Sequence, residues 1–412
     1  MREPAKGRRT RRTDAWSIFV DETAAAMNVG FFTDSYLPRR SGVVHAVEAA
    51  ARGLRERGHR TYIFAPAYPG HVDADPDVLR FPSIAPPGHP DFPLAVPYAP
   101  THLRAIRGFE LDLVHSHTPF LLGGLGVWVA RTLKRPLVFT YHTLYAEYAH
   151  YAPLVGELTR PFVIAYTTAY CNRCDRVLVS VPSLVELLRQ YGVRTKIDVV
   201  PSVGVDLAEF ARSEAGGVRA GFRIPADVLL LLFVGRLARE KGVPLLLDAV
   251  AGLPQNVWLL LVGDGPERRE LAAQAQRLGL AERVVFAGEQ DHAHVVDALG
   301  ASDLFVFPSQ TETLGLAVLE AMAAGRAVVA VEGGAIPEMV RDGETGRLVP
   351  PDPAALRQAI ADLVDAPALR RAMGDRARSL AASRSQARVV DQLLAVYREM
   401  IAAGTTPAQA TV

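Results

Sequence analysis

Two cysteines in 412 residues leave no room for a disulfide framework. Cys171 and Cys174 form one isolated Cys-x-x-Cys, without the second pair that a structural zinc site uses and without a thioredoxin-like setting. Their spacing reads as two positions on one helix turn in a reduced compartment. No apolar run reaches the roughly 18 residues that cross a bilayer as a helix. The basic stretch at residues 1–16 is not followed by an apolar core, which argues against a secretory signal. Residues 1–27 read as a basic, disordered tail, with Met27 as a candidate true start. Neither sign of charge dominates: 45 Lys and Arg stand against 44 Asp and Glu. The chain as a whole therefore lacks the field of a nucleic-acid binder. No internal repeat of 20–50 residues is present, which excludes a solenoid or a propeller.

A complete dinucleotide fingerprint is missing too. The best match runs Gly263-x-Gly265 and then places Arg268 where a third glycine belongs. That argues against a dehydrogenase and leaves phosphate binding at a helix N-terminus open. The Asp, Glu and His residues near the expected strand ends lack the tight spacing of metal ligands, so no metal and no cofactor are expected.

What the chain does have is a regular alternation. From Asn28 onward, short runs rich in Val, Leu and Phe alternate with helical stretches: NVGFFT, TYIFAP, DLVHSH, PLVFTYHT and RVLVSVPS in the first half. VLLLLFVGRL, VWLLLVGDG, RVVFAGE, DLFVFPS and AVVAVEGG follow in the second. Near-continuous apolar strands between helices indicate parallel sheets covered on both faces. Two such series predict an α/β chain of two doubly wound, Rossmann-like domains, at 28–202 and 203–383. They are joined near VVPSVGVD, where Pro and Gly interrupt the pattern. A last helix at 384–403 is expected to return to the first domain. The first half is basic (24 Lys and Arg, 18 Asp and Glu over residues 1–202) and the second acidic (21 and 26). That asymmetry fits a first half that meets an anionic surface, or simple drift in an arginine-rich composition.

In open parallel sheets ligands bind beyond the carboxyl ends of the strands, so the site is expected in the cleft between the two domains. Two segments in the second half carry the chemistry. In PSQTETLGLAVLEAMAAG, Glu312 lies in a loop after a strand and Glu320 lies beside the apolar face of the following helix. A carboxylate there is costly unless it accepts hydrogen bonds, and sugar hydroxyls are suitable donors. Gly315 allows close backbone approach, and the N–H groups near Leu316 would face the ligand. The plainer alternative is a solvated loop glutamate and a helix-edge glutamate. In FVGRLAREKG, Arg236 and Lys241 follow a strand end and together would neutralise a diphosphate leaving group.

These residues, in this order with Gly42 in the first loop, HSH at 115–117 and GDGP at 263–266, resemble the retaining family-4 glycosyltransferases of the GT-B fold. The resemblance runs from about Asn28 to the last helix. It implies a nucleotide-sugar donor held mainly by the second domain, with UDP-glucose favoured and UDP-galactose or a GDP-sugar left open. Arg236 and Lys241 would contact the diphosphate. Glu312 would contact the sugar hydroxyls with the backbone of Gly315 and Leu316, and Glu320 would hold the ribose. The base would lie near Gly288, with Gly263 on the donor side. His117 would sit near the transferred sugar, and Gly42 would pack over the phosphates. Ser41 stands where many relatives have a glycine. The implied reaction is metal-independent transfer with retention, by front-face attack. A non-catalytic nucleotide-sugar binder of the same fold is the alternative from another class.

TYHTLYAEYAHY, at 140–151, concerns the acceptor. Tyr141, Tyr145, Tyr148 and Tyr151 are spaced as one helix face, with His142 and His150 between them. They read as a core stripe, a metal box or a gripping surface. The stretch resembles the signature of the 1,2-diacylglycerol 3-glucosyltransferase branch. That implies a lipid acceptor and a protein peripherally attached to the inner face of the cell membrane from the cytoplasm. Tyrosine suits a lipid–water boundary. Arg39, Arg40, Arg104, Arg107, Lys134 and Arg135 would attract anionic lipid. Other acceptors within the family (phosphatidylinositol, a thiol-sugar precursor, a polysaccharide end) stay open, and nothing in the sequence speaks to an oligomer.

Overall fold

In a computed structural model the described residues are 26–39, 41–85, 93–147, 156–213 and 216–404. Most of the basic tail, Arg40, Tyr148, His150 and Tyr151 lie outside them. The first half forms strands β1 (Asn28–Phe32), β2 (Arg60–Pro66), β3 (Val78–Phe81), β4 (Ser83–Ile84) and β5 (Leu94–Ala95). They are followed by β6 (Leu113–Ser116), β7 (Leu137–Thr140), β8 (Arg176–Val179) and β9 (Ile197–Val199). Seven of these make one parallel sheet in the order β3-β2-β1-β6-β7-β8-β9, and β4 and β5 pair separately. The second half forms β10 (Leu229–Val234), β11 (Val257–Val262), β12 (Val284–Gly288), β13 (Leu304–Phe307), β14 (Val328–Val331) and β15 (Gly346–Val349). They make a six-stranded parallel sheet in the order β12-β11-β10-β13-β14-β15. These are the two doubly wound α/β layers that the alternation predicts.

The central strands are buried from end to end: LVHS, LVFT, RVLV, LFVF and VVAV show no exposed residue. A strand covered on both faces reads as an unbroken apolar run, and these runs were visible in the sequence. The strands that were not, β3, β9 and β15, lie at sheet edges. They carry Arg80, Asp198 and Arg347 on partly exposed positions.

Strand order reverses between β1 and β6 and again between β10 and β13, so each sheet opens a crevice at its carboxyl edge there. The loops leaving β1, β6, β10 and β13 form the two walls of one cleft. The second sheet's loops meet the first domain directly. Leu314 and Leu316 pack with Ala46 and Val203, and the Glu338 carboxylate accepts from the Ser183 N–H at 3.0 Å.

The chain crosses between the layers twice, and the two crossings pair. The Val205 N–H donates to Arg384 O at 3.2 Å, and the Gln386 N–H donates to Val205 O at 3.1 Å. Gly204 leaves no room for a side chain: a Cβ there would meet the Gln386 backbone nitrogen at 2.5 Å. The last helix, Gln386–Ala402, then lies on the first sheet and on the helix Gly42–Arg55. It buries Val390, Leu393, Leu394, Tyr397 and Met400 against Val29, Phe31 and Val47. Fully burying side chains of this size is worth about 1.5–3 kcal/mol each. Charge pairs flank the contact, with Glu399 3.0 Å from both Arg176 and Lys196.

The two helices approach so closely at Gly53 that a Cβ there would lie 2.4 Å from Val390 Cγ2. Gly53→Val is therefore expected to destabilise the chain by about 2–3 kcal/mol through overpacking. In hydrogen exchange, protection should fall over residues 386–402 and the first helix and stay unchanged in β10–β15. Equal loss in both sheets would contradict this packing.

Candidate active site

Glu312 is the best-anchored polar residue of the cleft. Its carboxylate pairs with the Lys241 ammonium and accepts from the Ser309 hydroxyl at 2.9 Å. Its carbonyl accepts from the Ala335 N–H at 2.7 Å. Gly333 and Gly334, in the loop after β14, make this possible. Gly334 has φ +51°, and a Cβ there would sit 2.2 Å from Glu312 O. Lys241 is held from the other side: Gly242, at φ +66°, packs where a Cβ would meet Pro308 O at 2.5 Å. The loops after β10, β13 and β14 thus lock together around one ion pair. Arg236 is exposed on the same wall.

Gly315, at φ +69°, opens the helix Leu316–Ala323, and no side chain caps its first N–H groups. The positive end of a helix dipole lies behind them, and of these donors the Val318 N–H already bonds Gly315 O at 3.0 Å. Glu320 is 7% exposed, in a setting that burial makes hostile to charge, and its pKa is pushed up to about 7. His292 opposes the shift: its Nδ1 lies 3.7 Å from Glu320, and its Nε2 lies 3.1 Å from Glu209. The His45 ring, from the first domain, lies 6.0 Å from the His292 ring. Helix geometry flagged Glu320, but His292 and Glu209 carried no local signal in the sequence.

Gly263 and Gly288 serve first as packing positions. The Gly263 N–H donates to Gly288 O at 2.8 Å, and a Cβ on Gly263 would stand 2.1 Å from Gly235 O. A Cβ on Gly265 would likewise stand 2.4 Å from Leu237 O. The incomplete fingerprint is a set of glycines that lets the β11 loop knit into the loop bearing Arg236. Gly42 is the first residue of the first helix and faces open space. Ser41 caps that helix, its hydroxyl accepting from the Val44 N–H at 3.3 Å.

On the acceptor wall the tyrosine spacing misleads. Residues 141–147 leave β7 as a loop with one short turn, so Tyr141 and Tyr145 do not share a helix face. Tyr141 is 1% exposed and packs edge-on against Phe139 and Tyr145 in the core of the first domain. A strand end followed by a loop simply happened to repeat at helical intervals. His117 is buried as well, at 2% exposure. Its Nδ1 lies 2.9 Å from His142 Nε2, and its ring lies 4.1 Å from that of His115. His115 spans Tyr397 Oη at 2.5 Å and Thr140 Oγ1 at 2.7 Å. Burial holds all three imidazoles neutral, with His142 lowered to about 3 and the other two well below the usual value. A neutral pair is what an N–H···N bond between rings requires. The second domain reaches this group through Thr313, whose hydroxyl donates to His142 O at 2.6 Å. Ser309, Thr313 and the Gly333–Gly334 pair escaped the sequence reading, although a double glycine directly after a strand was a usable signal.

Cys171 and Cys174 are free and buried, and burial pushes the Cys171 thiol up to about 12, so neither is a nucleophile.

Comparison with known proteins matches residues 40–209 to the model described as Glycosyltransferase Family 4, and residues 218–380 to Glycosyl transferases group 1. The chain is similar to an alpha-monoglucosyldiacylglycerol synthase of Streptococcus pneumoniae, with 32% identity over 78% of this chain and 75% of the relative. It is similar to a GDP-mannose-dependent alpha-mannosyltransferase of Mycolicibacterium smegmatis, with 32% identity over 91% and 98%. Among solved structures it resembles a sucrose-phosphate synthase from Thermosynechococcus elongatus. The TM-score is 0.74 and the identity 26%, covering 92% of this chain and all of that one. The two facing parallel layers are thus the GT-B fold.

Glu320 gives a test of the site's electrostatics. Below about pH 4.5 both folded and unfolded chains hold its proton; between 4.5 and about 7 only the folded chain does. Stability contributed by this group is therefore lost as pH rises through that window. Glu320→Gln removes the effect. Between pH 5 and pH 8 the variant should gain about 2–3 kcal/mol relative to the parent in urea unfolding, as a shift of this size implies. A difference that does not vary with pH would show that Glu320 ionises normally.

Proposed function

The chain belongs to the family-4 glycosyltransferases and is a hexosyltransferase, and from that premise we propose that it moves glucose from UDP-glucose to 1,2-diacylglycerol with retention. The observation that carries the donor half is the Lys241–Glu312 pair beside an uncapped helix N-terminus. A diphosphate arriving there would draw Lys241 to itself and release Glu312 oxygens to accept from sugar hydroxyls. Cation, carboxylate and helix dipole each then have a partner of opposite sign. Glu320 would take the ribose hydroxyls, whose hydrogen bonds offset the burial of its charge.

In the reaction the bond from the anomeric carbon to the β-phosphate oxygen breaks, and the nucleoside diphosphate leaves with the electron pair. Arg236, Lys241 and the N–H groups near Leu316 stabilise that negative charge as it develops. The acceptor hydroxyl bonds to the same face of the sugar, and its proton passes to the departing phosphate oxygen. Glu312 holds a hydroxyl and does not attack, so no glycosyl–enzyme bond forms.

The lipid half rests on the rim of the acceptor wall. Phe120, Leu121, Phe162 and Tyr166 are all substantially exposed, with Phe162 at 77%. Phe120 stacks on Tyr166 and meets Tyr145 edge-on, three residues past His117. Apolar side chains gathered beside a cleft mouth suit an acyl chain at a membrane surface, and Arg104, Arg107, Lys134 and Arg135 are exposed on the same domain. No helix among the described residues is long and apolar enough to cross a membrane, and the attachment proposed is peripheral. The activity for which the pneumococcal relative is named agrees with this reading. The mannosyltransferase, equally similar over more of the chain, supports a second one in which sugar and acceptor differ.

A panel of nucleotide sugars with diacylglycerol in mixed micelles, read by mass spectrometry, separates the two. Transfer from UDP-glucose with an α-linked product is expected, and transfer only from GDP-mannose would select the second. Glu312→Ala should lower turnover on the order of 10²-fold with folding intact. Leu121→Ser combined with Phe162→Ser should abolish sedimentation with anionic vesicles yet spare transfer to a short-chain, water-soluble acceptor. Unchanged sedimentation would remove the lipid argument.

A further inference from the structure

A small cavity lies between the cleft histidines and the paired crossings, away from the donor loops. It measures about 20 Å³, and its walls include His117, His142, Ser202 and Gln386, closed by Val389 and Val390 of the last helix. That volume holds about one water molecule. Two buried nitrogens on this wall find no partner among the protein groups: His117 Nε2 and Gln386 Nε2. An unmatched buried polar group costs about 1–3 kcal/mol, so two of them on one water-sized space need a common explanation. The opposite ends of both side chains are engaged. Gln386 Oε1 accepts from the Gly204 N–H at 2.8 Å, which turns its amide nitrogen away from the crossing. His117 Nδ1 faces His142 Nε2 at 2.9 Å.

We infer that one water in this cavity accepts from the Gln386 amide and donates to His117 Nε2, so that Gln386 positions the His117–His142 pair at the edge of the transfer site. The inference takes the cleft as the site of transfer, as proposed above. The Gln386 amide nitrogen can only donate, which makes the water an acceptor there and leaves both its protons for other partners. The water's protons go to His117 Nε2 and to Ser202 Oγ. His117 then carries its proton on Nδ1 and donates to His142 Nε2. His142 in turn keeps its proton on Nδ1, as a donor not spent within the relay. The consequence is mechanical as well as chemical. Gln386 clamps the crossing at Gly204, while the His142 carbonyl is held by Thr313 from the second domain. Both ends of the relay are therefore attached to contacts between the two domains.

Diffraction from crystals of the full chain tests the water directly. An ordered peak within hydrogen-bonding distance of both nitrogens is expected, and an empty or apolar-lined gap between them would overturn the inference. ¹⁵N-histidine NMR of the same protein should show His117 as a single tautomer protonated on Nδ1; protonation on Nε2 would equally overturn it. Gln386→Leu should convert that signal to a tautomer mixture and lower kcat several-fold with the donor KM unchanged. Ser202→Ala, which leaves the crossing intact, should perturb the same resonance more weakly. Neither spectrum nor diffraction depends on which sugar or acceptor the enzyme uses, so they can fail while the proposed activity stands.

Discussion

Everything chemical in this chain depends on one constraint: its sheets are parallel and covered on both faces. A strand buried on both sides admits few polar side chains along its length, and those it holds, such as His115 and Arg176, are hydrogen-bonded. Polar groups gather where the strands stop. Lys241, Glu312 and His142 all lie within a few residues of a strand's carboxyl end, and His117 directly follows β6. Two such sheets with their crevices turned toward each other bring these strand ends into one cleft, although no pair of the key residues is close in sequence.

That constraint explains what could be read without coordinates. The central strands announce themselves as unbroken runs of Val, Leu and Phe, and each run ends at a polar residue, so fold and candidate site come from the same pattern. The edge strands escape because a half-exposed strand tolerates Arg80 or Asp198 and loses its signature. The tyrosine stretch fails for a different reason. Periodicity counts residues and cannot register that Tyr141 directly follows β7 in the core while Tyr145 begins a short turn beyond it. The partners of the site escape because they are distant in sequence: Ala335 supports Glu312, and Glu209 supports His292 across 83 residues. Gly333 and Gly334 were legible in principle, since a double glycine at a strand end marks a close backbone approach.

The electrostatics of the two walls differ in kind. On the donor wall charge is retained and paired, with Lys241 against Glu312 and Arg236 exposed. Such a wall suits a ligand that brings its own negative charge, because pairs can be exchanged without stranding a buried ion. On the first domain's wall burial has removed charge: His117 and His142 are neutral and hydrogen-bonded to each other, and neutral His115 is bonded to Thr140 and Tyr397. The two walls thus divide the cleft into a charge-handling half and a neutral, hydrogen-bonded half.

The last helix joins these halves. Tyr397 fixes His115 from its middle, and Gln386 holds the crossing at Gly204 from its first turn. A helix that only closed the first core would need the Val390, Leu393 and Met400 contacts and no polar reach toward the cleft. This one spends two polar side chains on histidine and hinge. Because the crossings pair through Val205, a rotation of the second domain must strain either that bridge or the Gly204 contact. Through the same helix it is felt at His115 and His117. The route is short and made of directional bonds, so domain position and the orientation of the acceptor-side histidines are set together.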